Sequence, residues 1–184
     1  MDLNFLEPPS DVVEVGGKTY SIDMTLDTCL RFTYLLNDSK VPDDIKLNQC
    51  LILLLDDALD ELDLEIRLKV LVALIKHVHG DAPEPLRDRK GNIVPTPKKD
   101  IVTDYLQDFD YIYAGFLQAY RIDLFEERFM DWRKFKALAK SLPRGTRYRE
   151  VIEIRQMDAS GLKGKDRTEL LEAKQAVALK GKEE

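Results

Sequence analysis

Two histidines and two cysteines are the side chains of this 184-residue chain best suited to metal or nucleophilic chemistry. His77 and His79 stand two residues apart in a segment with a helical pattern, so they point to different sides of that helix. Ligands that share one helix need a spacing of three or four residues to reach the same metal ion. Cys29 and Cys50 lie among apolar neighbours, which is typical of buried, unreactive thiols. The sequence therefore predicts neither a metal centre nor a redox pair.

The acidic run DDALDELDLE, residues 56–65, is a candidate for calcium because carboxylates are preferred calcium ligands. A calcium loop needs alternating oxygen donors around a central glycine, and this run has neither. We interpret the run as a solvated corner between two helices. The chain also lacks C-x-x-C and H-E-x-x-H motifs, and no glycine-rich phosphate loop follows a strand. We expect a protein that is not an enzyme and binds no cofactor.

Arginines around the stretch RYREVIEIR suggest nucleic-acid binding as an alternative. Arg144, Arg147, Arg149 and Arg155 could contact phosphates, and Tyr148 could stack on a base. Acidic residues alternate with these arginines, however, and the sequence pI is about 5.1. Such a mixture is typical of a salt-bridged helix face. Nucleic acid is therefore not the expected partner, although a nucleic-acid-binding regulator stays open as a second interpretation.

The charges of the chain are divided unevenly. Residues 1–132 carry 14 Lys and Arg against 26 Asp and Glu, a balance of −12, whereas residues 133–184 carry 14 against 8, or +6. A basic end could meet an acidic partner, or the two ends could attract one another within a monomer or a self-associated form. The longest apolar run, residues 51–55, is far too short to span a bilayer, and the acidic, proline-broken N-terminus does not resemble a signal peptide. We expect a cytoplasmic protein that does not bind membranes.

The pattern of apolar residues predicts a mainly α fold, a helical bundle of about six to seven helices preceded by a short N-terminal β-hairpin. The hairpin turns at Gly16-Gly17, which can supply the positive φ angles of a tight turn. The predicted segments are the hairpin element 1–24, the first half of the bundle 25–80, a proline-rich linker or excursion 81–100, an aromatic-rich helical region 101–157 and a charged C-terminal helix or tail 158–184. The composition of this last segment is compatible with an exposed extension.

One predicted helix before Gly80 carries apolar residues at spacings of three and four, which makes it amphipathic. These residues are Leu64, Leu68, Leu71, Val72 and Ile75. We expect it to pair with the preceding helix as a hairpin.

A second amphipathic helix is predicted over residues 124–141, within the aromatic stretch FLQAYRIDLFEERFMDWRKFKALAKSLP. Its stripe includes Phe125, Phe129, Trp132 and Phe135. Asp123 is the predicted N-cap, and Pro143 ends the helix. We expect Trp132 and Phe135 to lie in a core shared with the helix that contains Phe109, Ile112 and Phe116.

The same stretch resembles a known protein family. The patterns F-x-x-A-Y-x-I-D-L, M-D-W-x-K-F-x-A-L, L-P-x-x-T and I-x-I-R occur in order over about 40 residues, from Phe116 to Arg155. They resemble those of tail assembly chaperones encoded by long-tailed phages and prophages of Gram-positive bacteria. This chain departs from the pattern at Arg121, where a glycine is expected, and at Arg133, where a second aromatic residue is usual.

The resemblance implies a non-catalytic protein that binds the tape-measure protein, aids assembly of the tail tube and is absent from the mature virion. It implies the tape-measure protein as a partner and leaves the tail-tube protein open as a second one. A structural tail or virion component and a nucleic-acid-binding phage regulator are the alternatives. The predicted partner-binding residues are Arg128, Lys134, Arg147, Arg149 and Arg155. The predicted structural residues are Tyr120, Asp123, Trp132, Phe135 and Pro143.

Overall fold

The computed structural model describes residues 10–80 and 102–180, in which a two-stranded hairpin precedes seven α-helices. The predicted mainly helical fold with an N-terminal hairpin is thus confirmed for the part of the chain that the structure describes. The predicted linker 81–100 lies outside it. The elements are β1 Val12–Val15, β2 Lys18–Ser21, α1 Leu26–Asn37, α2 Asp43–Leu55, α3 Leu64–His79, α4 Phe109–Tyr120, α5 Trp132–Lys140, α6 Arg147–Gln156 and α7 Gly164–Ala176.

The hairpin forms where the glycine pair predicts it. Strands β1 and β2 are antiparallel, and Val15 pairs with Lys18 across Gly16 and Gly17. Both glycines have positive φ, at 58° and 78°, which is the geometry of a type I′ turn. The triplet Gly17-Lys18-Thr19 resembles the end of a phosphate-loop motif, but it leads into a strand and not into a helix.

Packing divides the chain into two compact units. The first unit contains Met1–Pro97 and Arg128–Lys136, and the second contains Lys98–Glu127 and Ala137–Glu184. The division falls within α5, whose first residues belong to the first unit. It follows packing and not sequence segments, so the segment boundaries given above stay predictions.

The core of the first unit is formed by the hairpin, α1 to α3 and the start of α5. Helix α2 contacts α1, α3 and β2, which explains why its middle is apolar nearly all round. The fully buried large side chains of this unit are Leu26, Phe32, Leu51, Leu54, Leu59, Leu74, Val78, Trp132 and Phe135.

The predicted helix over residues 124–141 is wrong in its first half, because α5 begins only at Trp132. Residues 128–131 instead form a turn, a bend and an isolated bridge beside the chain that leads into α1. Leu26 N donates to Met130 O at 2.8 Å, and Trp132 N donates to Met24 O at 2.7 Å. In a continuous helix the Trp132 amide would donate to Arg128 O. Here that amide donates to Met24 O, so the pairing with residues 24–27 excludes a helix that continues through Trp132.

The predicted cap at Asp123 is also wrong, because no helix begins there. Asp131 fills that role: its Oδ1 accepts hydrogen bonds from the amides of Arg133 at 2.8 Å and Lys134 at 3.2 Å, in the first turn of α5. The end of the helix agrees better with the sequence. Helix α5 stops at Lys140, three residues before Pro143.

Trp132 and Phe135 are confirmed as core residues, 1% and 0% exposed. Their rings stack at a centroid distance of 5.3 Å, and the Trp132 indole Nε1 donates to Val78 O at 2.9 Å. Lys136 Nζ donates to the same carbonyl at 2.8 Å. The start of α5 is therefore fixed to the C-terminal end of α3, a helix that the sequence analysis did not pair with it.

The second unit is built from α4, α6 and α7. Its core includes Ile112, Phe116, Leu142, Tyr148, Val151, Leu170 and Val177. A Cβ atom at Gly115 of α4 would lie 3.0 Å from Leu142 Cδ1, so this glycine allows Leu142 to approach the helix closely. The Tyr120 hydroxyl donates to Leu138 O at 3.1 Å, which supports its predicted structural role.

The charged C-terminal segment forms helix α7, and as far as residue 180 it is hydrogen-bonded to the rest of the second unit. Lys174 Nζ donates to Arg155 O at 3.0 Å, and Arg155 Nε donates to Val177 O at 2.6 Å. Gln107 exchanges two hydrogen bonds with the main chain of Lys180. Leu170 and Val177 are only 8% and 6% exposed, which gives the charged helix an apolar contact with its unit.

Replacing Trp132 tests its place in the core. We expect Trp132→Ala to lower the free energy of unfolding by about 3–5 kcal/mol, because a large buried ring is lost and leaves a cavity. Phe129→Ala is the matched control: its ring is 68% exposed, so we expect a change within about 0.5 kcal/mol. Urea unfolding of both variants measures the difference. A Trp132→Ala variant as stable as the control would contradict the core assignment.

Candidate functional site

The two cysteines are buried and free in the first unit. Burial raises the pKa of the Cys29 thiol to about 12 and that of Cys50 to about 11. Since the thiolate is the nucleophile, thiols with these pKa values are almost wholly protonated at neutral pH and react poorly.

The two histidines have separate structural partners. His77 Nε2 lies 3.1 Å from Asp11 Oδ1, whereas the ring of His79 stacks against Phe32 at 6.2 Å. Burial, with the nearby charge of Lys136, lowers the pKa of His79 and favours its neutral form. Within residues 10–80 and 102–180, no three His, Cys, Asp or Glu side chains are grouped to hold a metal ion.

The acidic run 56–65 is a corner between α2 and α3, held by ion pairs and a buried leucine. Asp60 pairs with Arg67 at 3.1 Å, and Glu61 pairs with Lys18 at 3.3 Å. Leu59 is fully buried and anchors the corner. These carboxylates therefore contact cations of the protein itself, as the sequence interpretation expected.

A buried arginine ties together the N-terminal residues and the start of α5. The Arg133 side chain is 6% exposed and makes two hydrogen bonds of 2.8 Å to the carboxylate of Asp11, while it also pairs with Asp131. These two carboxylates raise the pKa of Arg133, and the guanidinium is permanently charged. Arg133 stands where the pattern that the sequence resembles usually has an aromatic residue. In this chain the position therefore holds an ion-pair cluster with Asp11 and Asp131.

Arg155 and Asp108 form the corresponding buried pair of the second unit. Arg155 donates to both Asp108 oxygens, at 2.7 and 2.8 Å, and also to Val102 O at 2.9 Å. The Asp108 side chain is 0% exposed and that of Arg155 is 10% exposed. Arg155 therefore has structural contacts within the second unit, and its predicted part in partner binding stays a prediction.

The remaining residues of the basic stretch fit the alternative of a salt-bridged face. Arg147 pairs with Glu150 at 3.2 Å, Arg144 lies 4.0 Å from Glu153, and Arg149 is half-buried. Tyr148, the proposed base-stacking residue, is 3% exposed, and its hydroxyl lies 2.7 Å from that of Thr103. The predicted nucleic-acid surface thus has no exposed stacking group at Tyr148.

The other two predicted partner-binding residues are exposed in the first unit. The Arg128 guanidinium lies over the Phe129 ring at 4.9 Å from its centroid, and Lys134 points outward from α5. Their assignment to partner binding stays a prediction.

Helix α3 exposes the apolar stripe that the sequence analysis noted. Leu64, Leu68 and Val72 are 61%, 46% and 54% exposed, and the α3 stripe is completed by the half-buried Leu71 and Ile75. The core side of the helix is formed by Val70, Leu74 and Val78. Helix α3 thus has two apolar faces, and packing within the described chain uses only one of them.

A second exposed apolar surface lies between α4 and the segment that follows it. Phe125 is 68% exposed, and its ring lies against those of Tyr113 and Phe109, at centroid distances of 5.1 and 6.0 Å. Sequence reasoning placed Phe125 on the apolar stripe of a helix over residues 124–141. The hydrogen bond from Phe125 N to Asp123 Oδ1 fixes the turn in which Phe125 is exposed, although the side chain is hydrophobic.

Two open depressions of the described chain are candidates for paired acid and base groups. One is lined by residues 21–24 and 52–56, and its two titratable groups are Asp23 and Asp56. Asp23 already accepts hydrogen bonds from Thr25 N and the Thr28 hydroxyl, at 2.9 and 2.7 Å. The other is lined by Gln107, Tyr111, Arg155 and residues 176–180, and Arg155 is already paired with Asp108. Neither depression offers groups arranged for catalysis.

Comparison with known proteins shows a phage protein family. A family model described as Bacteriophage Gp15 protein matches residues 9–179, nearly the whole chain. No curated protein and no solved structure matches the chain. Among the described helices, none is long and apolar enough to cross a membrane.

The Arg133 cluster predicts a specific dependence of stability on pH. Partial burial by itself raises the pKa of Asp11, but hydrogen bonds from Arg133 and His77 outweigh it and leave that pKa below its usual 3.8. A lowered folded pKa contributes stability above the unfolded pKa, and this contribution is lost as the pH falls through the folded pKa. We expect Asp11→Asn to be less stable than wild type at pH 7, by an amount that shrinks below about pH 4. Urea titrations from pH 7 to about pH 2.5 measure this, and a difference that stays constant to pH 2.5 would contradict it.

Proposed function

We propose that this chain, which belongs to the bacteriophage Gp15 protein family, is a non-catalytic tail assembly chaperone. In this proposal it binds the helix-rich tape-measure protein in the host cytoplasm, keeps it soluble and aids assembly of the tail tube around it. It leaves before the virion is complete. Membership of a phage protein family supports the setting, and the α3 stripe supports the mode of binding.

The α3 stripe is the observation that carries the proposal. Its residues Leu64, Leu68, Leu71 and Ile75 repeat at spacings of four, three and four, which is the seam spacing of two packed helices. From Leu64 to Ile75 the stripe is about 16 Å long, or three turns. A client helix laid along it would remove apolar surface of both helices from water, at about 25 cal/mol per Å². This is the helix-to-helix recognition expected of a chaperone for a helical client.

The charged surroundings fit a protein that must stay soluble while it exposes such a stripe. Residues 1–132 carry a balance of −12, and carboxylates at 60, 61, 63 and 65 flank the start of α3. Like charges oppose the aggregation that an exposed apolar helix otherwise favours. The absence of reactive thiols, metal groups and acid–base pairs from the described residues is in keeping with a binding protein.

Substitution of the α3 stripe tests the proposal. The triple variant Leu64→Gln, Leu68→Gln and Val72→Gln removes exposed apolar surface and retains adequate helix propensity, so we expect it to fold. When it is co-expressed with the tape-measure protein of the same phage, we expect at least a tenfold loss of co-purification, about 1.4 kcal/mol. Tyr34→Gln is the control, because Tyr34 is 62% exposed on α1 of the same unit.

The outcomes separate the alternatives. Wild-type capture that the triple variant retains would reject α3 as the client site. Wild-type protein that captures no tape-measure protein would reject the chaperone function. Salt-sensitive retention on DNA would favour a regulator, and the chain's presence in purified particles would favour a structural tail component.

The two exposed cations near α5 give a second test of client binding. We expect Arg128→Glu and Lys134→Glu to leave the fold intact, because both side chains are exposed, and to weaken capture of the tape-measure protein. Lys40→Glu, in the loop between α1 and α2, makes the same charge change at another exposed site. Circular dichroism and co-purification measure fold and capture. Equal capture by all three variants would remove Arg128 and Lys134 from the client surface.

A further inference from the structure

The second unit presents an exposed cluster of large apolar side chains, here named the aromatic patch: Phe109, Tyr113, Leu117 and Phe125. The first three follow one another at intervals of four along α4, and the Phe125 ring lies against two of them at 5.1 and 6.0 Å. Phe125 is 68% exposed and Leu117 is 42% exposed. Aromatic side chains are enriched at the energetic centres of protein interfaces.

A hydrogen-bonded turn of the backbone holds Phe125 in its exposed position. Asp123 Oδ1 accepts a hydrogen bond from Phe125 N at 2.9 Å, and Asp123 O accepts one from Glu127 N at 2.9 Å. Leu124 points inward and is 2% exposed. The Tyr113 hydroxyl donates to Asp123 Oδ2 at 3.3 Å, which joins this turn to α4. Phe125 is therefore held outward by a fixed turn, so little conformational entropy remains to be lost when a partner covers it.

The segment that carries the aromatic patch is acidic. Residues 109–127 contain Asp110, Asp123, Glu126 and Glu127, against Arg121 as the one cation. Asp110 lies about 60° from Tyr113 around α4, on the solvent side. The Asp123 carboxylate lies 3.3 Å from the Tyr113 hydroxyl. Burial raises the pKa of Tyr113, and the charges of Asp123 and Glu126 raise it further. The rim of the patch is thus negative.

We propose that the aromatic patch is a docking site for an amphipathic helix of another protein, one whose apolar face is bordered by Lys and Arg. Apolar side chains of the helix cover Phe125 and Leu117, and its cations meet Asp110, Glu126 and Glu127. Cations that lie over Phe125 or Tyr113 gain a further attraction from the ring faces.

The negative rim argues against other occupants. A second copy of the same patch would bring carboxylate against carboxylate, and like charges across an interface are unfavourable. Nucleic acid and anionic lipid surfaces are repelled for the same reason. The proposal does not depend on a tape-measure client, because the patch lies in the second unit and the α3 stripe lies in the first.

A synthetic peptide tests the site without any phage partner. The probe is a fluorescent amphipathic helix of leucine and lysine, about four turns long, and its companion carries glutamate in place of lysine. Fluorescence anisotropy with the full chain measures both affinities. We expect the lysine peptide to bind at least about tenfold more tightly than the glutamate peptide.

Matched variants decide whether the aromatic patch is the site. We expect Phe125→Ser to weaken binding of the lysine peptide about tenfold or more, while Tyr34→Ser, an equally exposed aromatic on α1, leaves it unchanged. Glu126→Lys should weaken binding more than Glu172→Lys, which reverses an exposed carboxylate on α7 of the same unit. Absence of binding, equal effects of Phe125→Ser and Tyr34→Ser, or equal effects of the two charge reversals would each overturn the proposal. Failure of tape-measure capture would leave this result unaffected, so the two proposals fail separately.

Discussion

The pairing of residues 128–132 with residues 24–27 is the constraint on which the first unit depends. Main-chain hydrogen bonds of 2.7–3.0 Å join the two segments, and Thr25 and Asp131 form an antiparallel bridge. Because of this pairing, Trp132 lies against the C-terminal end of α3 and Arg133 lies beside Asp11. The short segment 128–132, within an aromatic stretch that has a helical pattern, therefore completes the core of a unit whose other residues lie at least 30 positions earlier.

Two arginines have the same physical role in the two units. Arg133 and Arg155 are each nearly buried, and each makes a two-pronged contact with a carboxylate. Removing one partner of such a pair leaves an uncompensated buried charge, which typically destabilises a protein by about 3–5 kcal/mol. Both arginines belong to the basic part of the sequence, residues 133–184. Because carboxylates inside the fold neutralise them, the net charge of that part overstates the positive charge that a partner would meet.

Elements with strong periodicity and clear turn residues were predictable from the sequence. The hairpin at Gly16-Gly17, the C-terminal end of α3 at Gly80 and the core position of Trp132 follow from local patterns. The break before α5 was not predictable, because the helical period continues unbroken through residues 124–131 and only distant hydrogen bonds oppose it. Helix α3 shows the same dependence on distant contacts. Its sequence has two apolar faces, and no local pattern distinguishes the face that is buried, at Val70, Leu74 and Val78, from the exposed α3 stripe. Arg121 presents a third case. It adopts φ 58° where the related pattern has glycine, so the turn persists although an L side chain there costs about 1 kcal/mol.

The return of residues 128–136 to the first unit has a consequence for synthesis on the ribosome. Translation runs from the N-terminus, so α1 to α3 emerge before the tryptophan that completes their core. At about 5–20 residues per second, the interval between residues 97 and 136 lasts roughly 2–8 s. During that time the nascent chain exposes the apolar surface that Trp132 and Phe135 later cover. The first unit thus matures only after most of the polypeptide has been translated.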